Sequence, residues 1–151
     1  MTDGIISRDP IDVHLIPGLA MSLSGIRILV VDDDTDSRDF ITFVLEQEGA
    51  EITAASSAVE AFGALSQCQP DLLISDIGMP EIDGYMLMQQ VRSWSLERGG
   101  QIPAIALTAY AGENDQQQAL SAGFQAHISK PAEPDRLVAI AIQLAGKQER
   151  F

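Results

Sequence analysis

The chain has 151 residues, 46% of them apolar, and its 22 acidic against 9 basic side chains leave a formal charge of −13 at pH 7. That length suits one domain with a single sizeable core; no apolar run is long enough to span a bilayer and the N-terminus lacks the basic-then-apolar order of a secretion signal, so a cytoplasmic protein without membrane contact is expected. The acidic excess argues against nucleic acid as a partner, because phosphate contact depends on clustered Lys and Arg, and it favours proteins or cations.

Residues 1–25 mix Gly, Pro, Ser and Asp and read as a tail or linker, although "IDVHLIP" alternates and Ile11, Val13 and Leu15 would suit an edge strand. The apolar run "IRILVV" (26–31) is expected to be a strand covered on both faces. After it, Phe40, Ile41, Val44 and Leu45 recur at helical spacing, with Gly49 as the expected C-terminal cap. "EITAA" reads as a second strand and "SAVEAFGALSQ" as a second helix, capped by Ser56 or Ser57. The lone cysteine, Cys68, ends that segment and is expected to pack there. "DLLIS" (71–75) is a third strand, and a third helix is expected from Gly84 to about Arg98, with Leu87, Val91 and Trp94 along one side and its methionines packing. "PAIALTA" supplies a fourth strand, "ENDQQQALSAG" a fourth helix closed by Gly123, "AHIS" a fifth strand, and "PDRLVAIAIQLAG" a fifth helix opening on Pro134. Five strand-helix repeats give an α/β class with a doubly wound parallel sheet, because right-handed crossovers place helices on both faces.

In such sheets functional groups gather beyond the carboxyl ends of the strands. Asp32 and Asp33 follow the first strand, Asp76 the third, Thr108 the fourth and Lys130 the fifth, so all five are expected at one rim. Three carboxylates gathered there repel by about 4 kcal/mol per pair at about 4 Å and an effective dielectric of about 20. Either a cation joins them or two of the three are protonated. Oxygen ligands without His or Cys favour Mg²⁺, Mn²⁺ or Ca²⁺ over zinc. Asp32, Asp34 and Asp36 match the first ligand positions of an EF-hand loop, but Ser37 stands where the turn glycine belongs and Phe43 where the bidentate Glu belongs. Magnesium, which keeps several waters and shares phosphates, fits the partial set better, and Asp34 and Asp36 are expected to start the following helix instead. Thr108 and Lys130 point independently to phosphate, as hydroxyl donor and compact cation. Neither a P-loop nor a Gly-rich dinucleotide turn is present, so a tightly held nucleotide is not expected. A carboxylate can itself be the nucleophile toward phosphorus, and Asp76, on the central strand, is the best placed.

The motifs "ILVVDD", "DLLISDIGMPEIDGY", "IPAIALTAYAG" and "AGFQAHISKP", in register over residues 26–146, resemble the receiver domains of two-component response regulators. That resemblance implies a flavodoxin-like fold of strand order 2-1-3-4-5, one of the two common orders of doubly wound sheets. It implies Asp76 as phosphoacceptor, and Mg²⁺ (with Mn²⁺ possible) held by Asp33, by Asp32 through water, by Asp76 and by the Gly78 backbone carbonyl. It further implies phosphate contacts from Thr108, Ala109 and Lys130, and a cis peptide before Pro131. The implied donor is a phosphohistidine of a histidine kinase or histidine phosphotransfer protein. The implied output is a changed affinity for a protein target on the face built by the fourth helix, fifth strand and fifth helix.

Two features depart from the commonest family pattern or lie where members vary. His127 occupies the switch position where many members carry Tyr or Phe; it is expected to fill that site as a partly buried ring, and an imidazole there would also answer to pH. Gly78 and Tyr110 flank the phosphorylation site and are expected to tune the phosphoryl lifetime. Two other classes make different demands on the sequence. A haloacid-dehalogenase-like phosphohydrolase would need Thr or Val at Asp36 and a cap domain, and a phosphorylation-independent binding module would not need all five rim residues. Residues 147–151 read as a short tail with no room for an effector domain, so action through partners, or origin as a fragment, is expected. "IDVHLIP" weakly resembles the last strand of a histidine kinase ATPase domain, which places the chain near the receivers of hybrid kinases.

Overall fold

Each apolar run expected to be a strand pairs in parallel with its neighbours in the computed structural model, which describes residues 22–109 and 112–146. Strand β1 (Arg27–Val31) leads to helix α1 (Thr35–Glu46), β2 (Glu51–Ala55) to α2 (Ala58–Cys68), and β3 (Leu72–Asp76) to α3 (Gly84–Arg92). β4 (Ala104–Thr108) leads to α4 (Glu113–Ala122), and β5 (Ala126–Ser129) to α5 (Pro134–Ala145). The sheet order is β2-β1-β3-β4-β5 with every pairing parallel. The doubly wound topology expected of the repeats is therefore present, with β3 at the centre.

Successive side chains of a strand point to opposite faces, so continuous apolar strands feed two cores. Leu29, Val31, Leu73, Ala104 and Ala106 pack against α2, α3 and α4 through residues such as Leu65, Leu87 and Ala119. Ile28, Val30, Leu72, Ile74, Ile105 and Leu107 pack against α1 and α5 through Ile41, Leu45, Leu137 and Ala141. At about 1.5–3 kcal/mol for each large apolar side chain buried, these two layers dominate the stability that fixes the strand ends.

Local chemistry sets the helix boundaries. Asp34 caps α1 and accepts the Asp36 N–H at 3.2 Å, which places both aspartates at the start of that helix as expected. Ser57, of the two serines considered, caps α2 through the Glu60 N–H. Gly49 is not the cap of α1; that position is Gln47, and Gly49 takes a φ of +93° in the turn that follows. Helix α3 ends at Arg92, short of the expected Arg98, because two serines divert the backbone. Ser93 Oγ donates to the Gln90 carbonyl at 2.6 Å, and Ser95 caps a separate 3₁₀ turn over Leu96–Arg98. Trp94 lies between them, partly buried against the core, with its ring 5.8 Å from that of Phe62 and the Arg98 guanidinium 4.2 Å above it. Met88 is fully buried, whereas Met86 is half exposed and does not pack as expected, since it lies on the outer side of the helix. Cys68 is half-buried and close to the Thr53 hydroxyl.

The chain joins the core before β1. Leu23 is fully buried and its N–H donates to the Glu48 carbonyl at 2.8 Å, while Ser22 Oγ donates to the Glu48 carboxylate at 2.6 Å. A single Leu within "SLSG" carries no periodicity from which that burial is legible. The edge strand considered over "IDVHLIP" lies outside the described residues. Among the described residues, no helix is long and apolar enough to cross a membrane.

Candidate functional site

Strand order reverses at β1 and β3, and the carboxyl ends of these strands and of β4 and β5 bring four groups of side chains to one rim. Asp76 is the last residue of β3, one position further into the sheet than the sequence indicated, and is paired across from Leu107. Asp32 and Asp33 leave β1 directly, Thr108 ends β4, and Lys130 leaves β5 with its N–H on the Thr108 carbonyl at 2.7 Å. The Lys130–Pro131 peptide is cis, as the resemblance implies.

Lys130 draws the carboxylates together. Its Nζ lies 3.0 Å from Asp32 Oδ2 and 3.2 Å from Asp76 Oδ1. Burial tends to discharge the lysine, but hydrogen bonding and charge from Asp32 and Asp76 outweigh it, and the ammonium holds its proton above the ordinary value. Asp76 responds mainly to burial, which lifts its carboxyl above the ordinary 3.8, and the Asp32 charge pushes the same way. Lys130 and a backbone hydrogen bond at Gly78 oppose that rise without cancelling it.

Asp32 is fully buried and heavily engaged. Its Oδ1 accepts the Asp34 N–H at 3.0 Å and its Oδ2 the Ser37 hydroxyl at 2.7 Å, beside Lys130. The Arg38 guanidinium holds the Asp32 carbonyl at 2.8 Å. Asp33 is exposed. One carboxylate oxygen from each of Asp32, Asp33 and Asp76 falls within 4.8 Å of the others, a set that Asp34 and Asp36 do not join. The donors are hard oxygens with no imidazole or thiolate among them, which fits a small divalent cation such as Mg²⁺.

Asp76, Gly78, Thr108, Ala109 and Lys130 line a cleft of about 250 Å³, with Asp76 and Thr108 buried at its base. Ile77, Tyr85 and Asp115 complete its lining, and sequence reasoning did not single out the two polar ones, Tyr85 and Asp115. Both stand in the first turn of the helix that follows a rim strand, so the signal for them was topological rather than a motif. Ser37 and Arg38, which fix Asp32, belong to the first turn of α1 in the same way. His127 is half-buried on β5 and lines a different groove of about 370 Å³ with Gln116, Glu133 and Arg136. Tyr110 lies outside the described residues.

A family model for the response regulator receiver domain matches residues 28–142. The chain is 48% identical over 122 residues to a Leptolyngbya boryana protein named "Uncharacterized 14.6 kDa protein in sodA1 3'region", covering 81% of this chain and 92% of that one. It is 37% identical over 125 residues to the response regulator Rre1 of Synechocystis, covering 82% of this chain and 53% of Rre1, so it spans about half of that relative. Among solved structures, the receiver domain of the sensor histidine kinase PA1611 from Pseudomonas aeruginosa aligns with a TM-score of 0.73 at 28% identity, over 81% of this chain and 98% of that one. That structure has a magnesium ion coordinated in its active site cleft.

Proposed function

The chain belongs to the response regulator receiver domain family of two-component signalling, and from that premise we propose that it takes a phosphoryl group from a partner's phosphohistidine onto Asp76. The partner is a histidine kinase or a histidine phosphotransfer protein, met in the cytoplasm. Lys130 carries this reading, because a single ammonium 3.0 Å from Asp32 and 3.2 Å from Asp76 holds a nucleophilic carboxylate ready beside a second one.

The Asp76 carboxylate attacks phosphorus as the N–P bond of the phosphohistidine breaks, and the electron pair of that bond stays on the imidazole. Lys130 then exchanges part of its contact with Asp76 for the phosphoryl oxygens, and Thr108, buried in the same cleft, donates its hydroxyl to them. Asp33, Asp76, the Gly78 carbonyl and, by way of water, Asp32 would hold Mg²⁺, which would supply the charge neutralisation that a phosphoryl group needs in a cleft of carboxylates. Drawing Thr108 inward repositions β4 against β5, and the face formed by α4, β5 and α5, with His127 upon it, changes its affinity for a protein target. The chain thus acts as a switch rather than an enzyme with turnover.

Incubation with a small acyl phosphate tests this. With Mg²⁺ present, intact-protein mass spectrometry is expected to show one added phosphoryl group, and with EDTA in place of Mg²⁺ almost none. Unmodified protein in Mg²⁺, or equal modification in EDTA, contradicts the proposal.

A further inference from the structure

The cleft over Asp76 holds two polar side chains that phosphoryl transfer leaves unassigned. Tyr85, in the first turn of α3, and Asp115, in the first turn of α4, line it together with Asp76, Thr108 and Lys130. Asp76 and Thr108 are buried, whereas Tyr85 and Asp115 are half-buried. The pair therefore stands nearer solvent than Asp76 and Thr108 do in the same cleft. Tyr85 and Asp115 also sense each other: burial first, and then the Asp115 charge, make the phenol harder to ionise. Asp115 Oδ2 lies over Gly112, 3.4 Å from where a Cβ would sit, so its carboxylate spans the first turn of α4 and a side chain at residue 112 would crowd it. Asp115 belongs neither to the three-carboxylate cluster nor to the Lys130 ion pairs.

Resting on Asp76 as phosphoacceptor, we propose that Asp115 positions the water that hydrolyses the aspartyl phosphate, with Tyr85 as the facing wall, and so sets the lifetime of the switch. The Asp115 carboxylate accepts a hydrogen bond from this water. The water oxygen bonds to phosphorus as the P–O bond to Asp76 breaks, and the electron pair of that bond returns to the Asp76 carboxylate. The proton lost by the water passes through Asp115 to the departing phosphate, which leaves Asp115 as it began. Asparagine in its place fills the same volume and keeps an acceptor oxygen, but has neither the charge to hold the water strongly nor the basicity to take its proton.

The full chain is phosphorylated with acetyl phosphate and Mg²⁺, the donor is removed, and loss of the phosphoryl mass is followed with time. Wild type, Asp115→Asn and Asp115→Glu are compared, with the thermal unfolding of each. Asp115→Asn is expected to slow the decay about tenfold, equivalent to about 1.4 kcal/mol of barrier, at unchanged Tm, and Asp115→Glu to recover part of the rate. Equal decay in wild type and Asp115→Asn, or a glutamate variant as slow as the asparagine one, overturns the role of Asp115 while leaving Asp76 as acceptor. A wild type that gains no phosphoryl mass overturns both.

Discussion

Asp76→Asn is expected to raise the melting temperature of the Mg²⁺-free protein at pH 7 while removing its capacity to be phosphorylated. Asp76 is only 7% exposed, and burial followed by the Asp32 charge lifts its pKa above the ordinary 3.8. A carboxyl whose folded-state pKa is raised binds its proton more tightly in the folded than in the unfolded chain. Its contribution to stability is present in full below about pH 3.8 and is lost as pH rises through the folded value. At pH 7 the ionised carboxylate is therefore a net burden on the fold, relieved by a neutral amide of the same shape. Thermal scans in EDTA at pH 7 and near pH 3.5 measure this, and the advantage of the variant is expected to shrink at the lower pH. Added Mg²⁺ is expected to stabilise wild type more than the variant. An Asp76→Asn protein that melts below wild type at pH 7 in EDTA contradicts the electrostatic account.

Gly84→Ala is expected to be among the most damaging single-methyl additions near the site. A Cβ at residue 84 would lie 2.4 Å from the Asp76 carbonyl oxygen and 2.8 Å from the Ile77 Cα, both backbone atoms with little freedom to move. The Gly84 N–H also donates to the Ile77 carbonyl at 3.0 Å, so the start of α3 is tied to the end of β3. Overpacking of this kind costs about 1–3 kcal/mol, and contact with backbone places it at the upper end. The same displacement moves the Asp76 backbone, so phosphoryl incorporation is expected to fall together with stability. Gly78→Ala is the stability control, because a Cβ there meets nothing within 4 Å. Denaturant unfolding separates the two: equal loss in both variants, or less than about 0.5 kcal/mol in Gly84→Ala, contradicts the packing argument.

Much of this geometry was legible in the residues. Continuous apolar runs such as "IRILVV" and "PAIALTA" mark strands buried on both faces, and the observed β1 and β4 lie wholly within them. Topology then places the residues after each strand at one rim, and the clustering of Asp32, Asp33 and Asp76 follows from chain order and the carboxyl-end rule together. The shortened α3 was not legible from periodicity, because Leu87, Val91 and Trp94 keep helical spacing across a break made by Ser93 and Ser95. Hydrogen-bond competition of that kind depends on side-chain rotamers, which a hydropathy pattern does not carry. Tyr85 and Asp115 were missed for a related reason, and Gly84, correctly read as the start of α3, gave no sign of its contact with the Asp76 backbone. Their importance comes from helices approaching the ends of neighbouring strands, a distance set in three dimensions. His127 was identified as a position, yet the groove it shares with Arg136 and Glu133 emerges only when α5 packs beside β5.

Chemical trapping of the modified residue tests the central claim most directly. Borohydride reduces an aspartyl phosphate to homoserine and leaves free carboxylates and serine phosphates intact. The full chain is therefore treated with acetyl phosphate and Mg²⁺, reduced, digested and sequenced by tandem mass spectrometry. Homoserine at residue 76, and at none of Asp32, Asp33 or Asp115, is the result predicted. Homoserine at another aspartate, or none in protein that has gained phosphoryl mass, would contradict it.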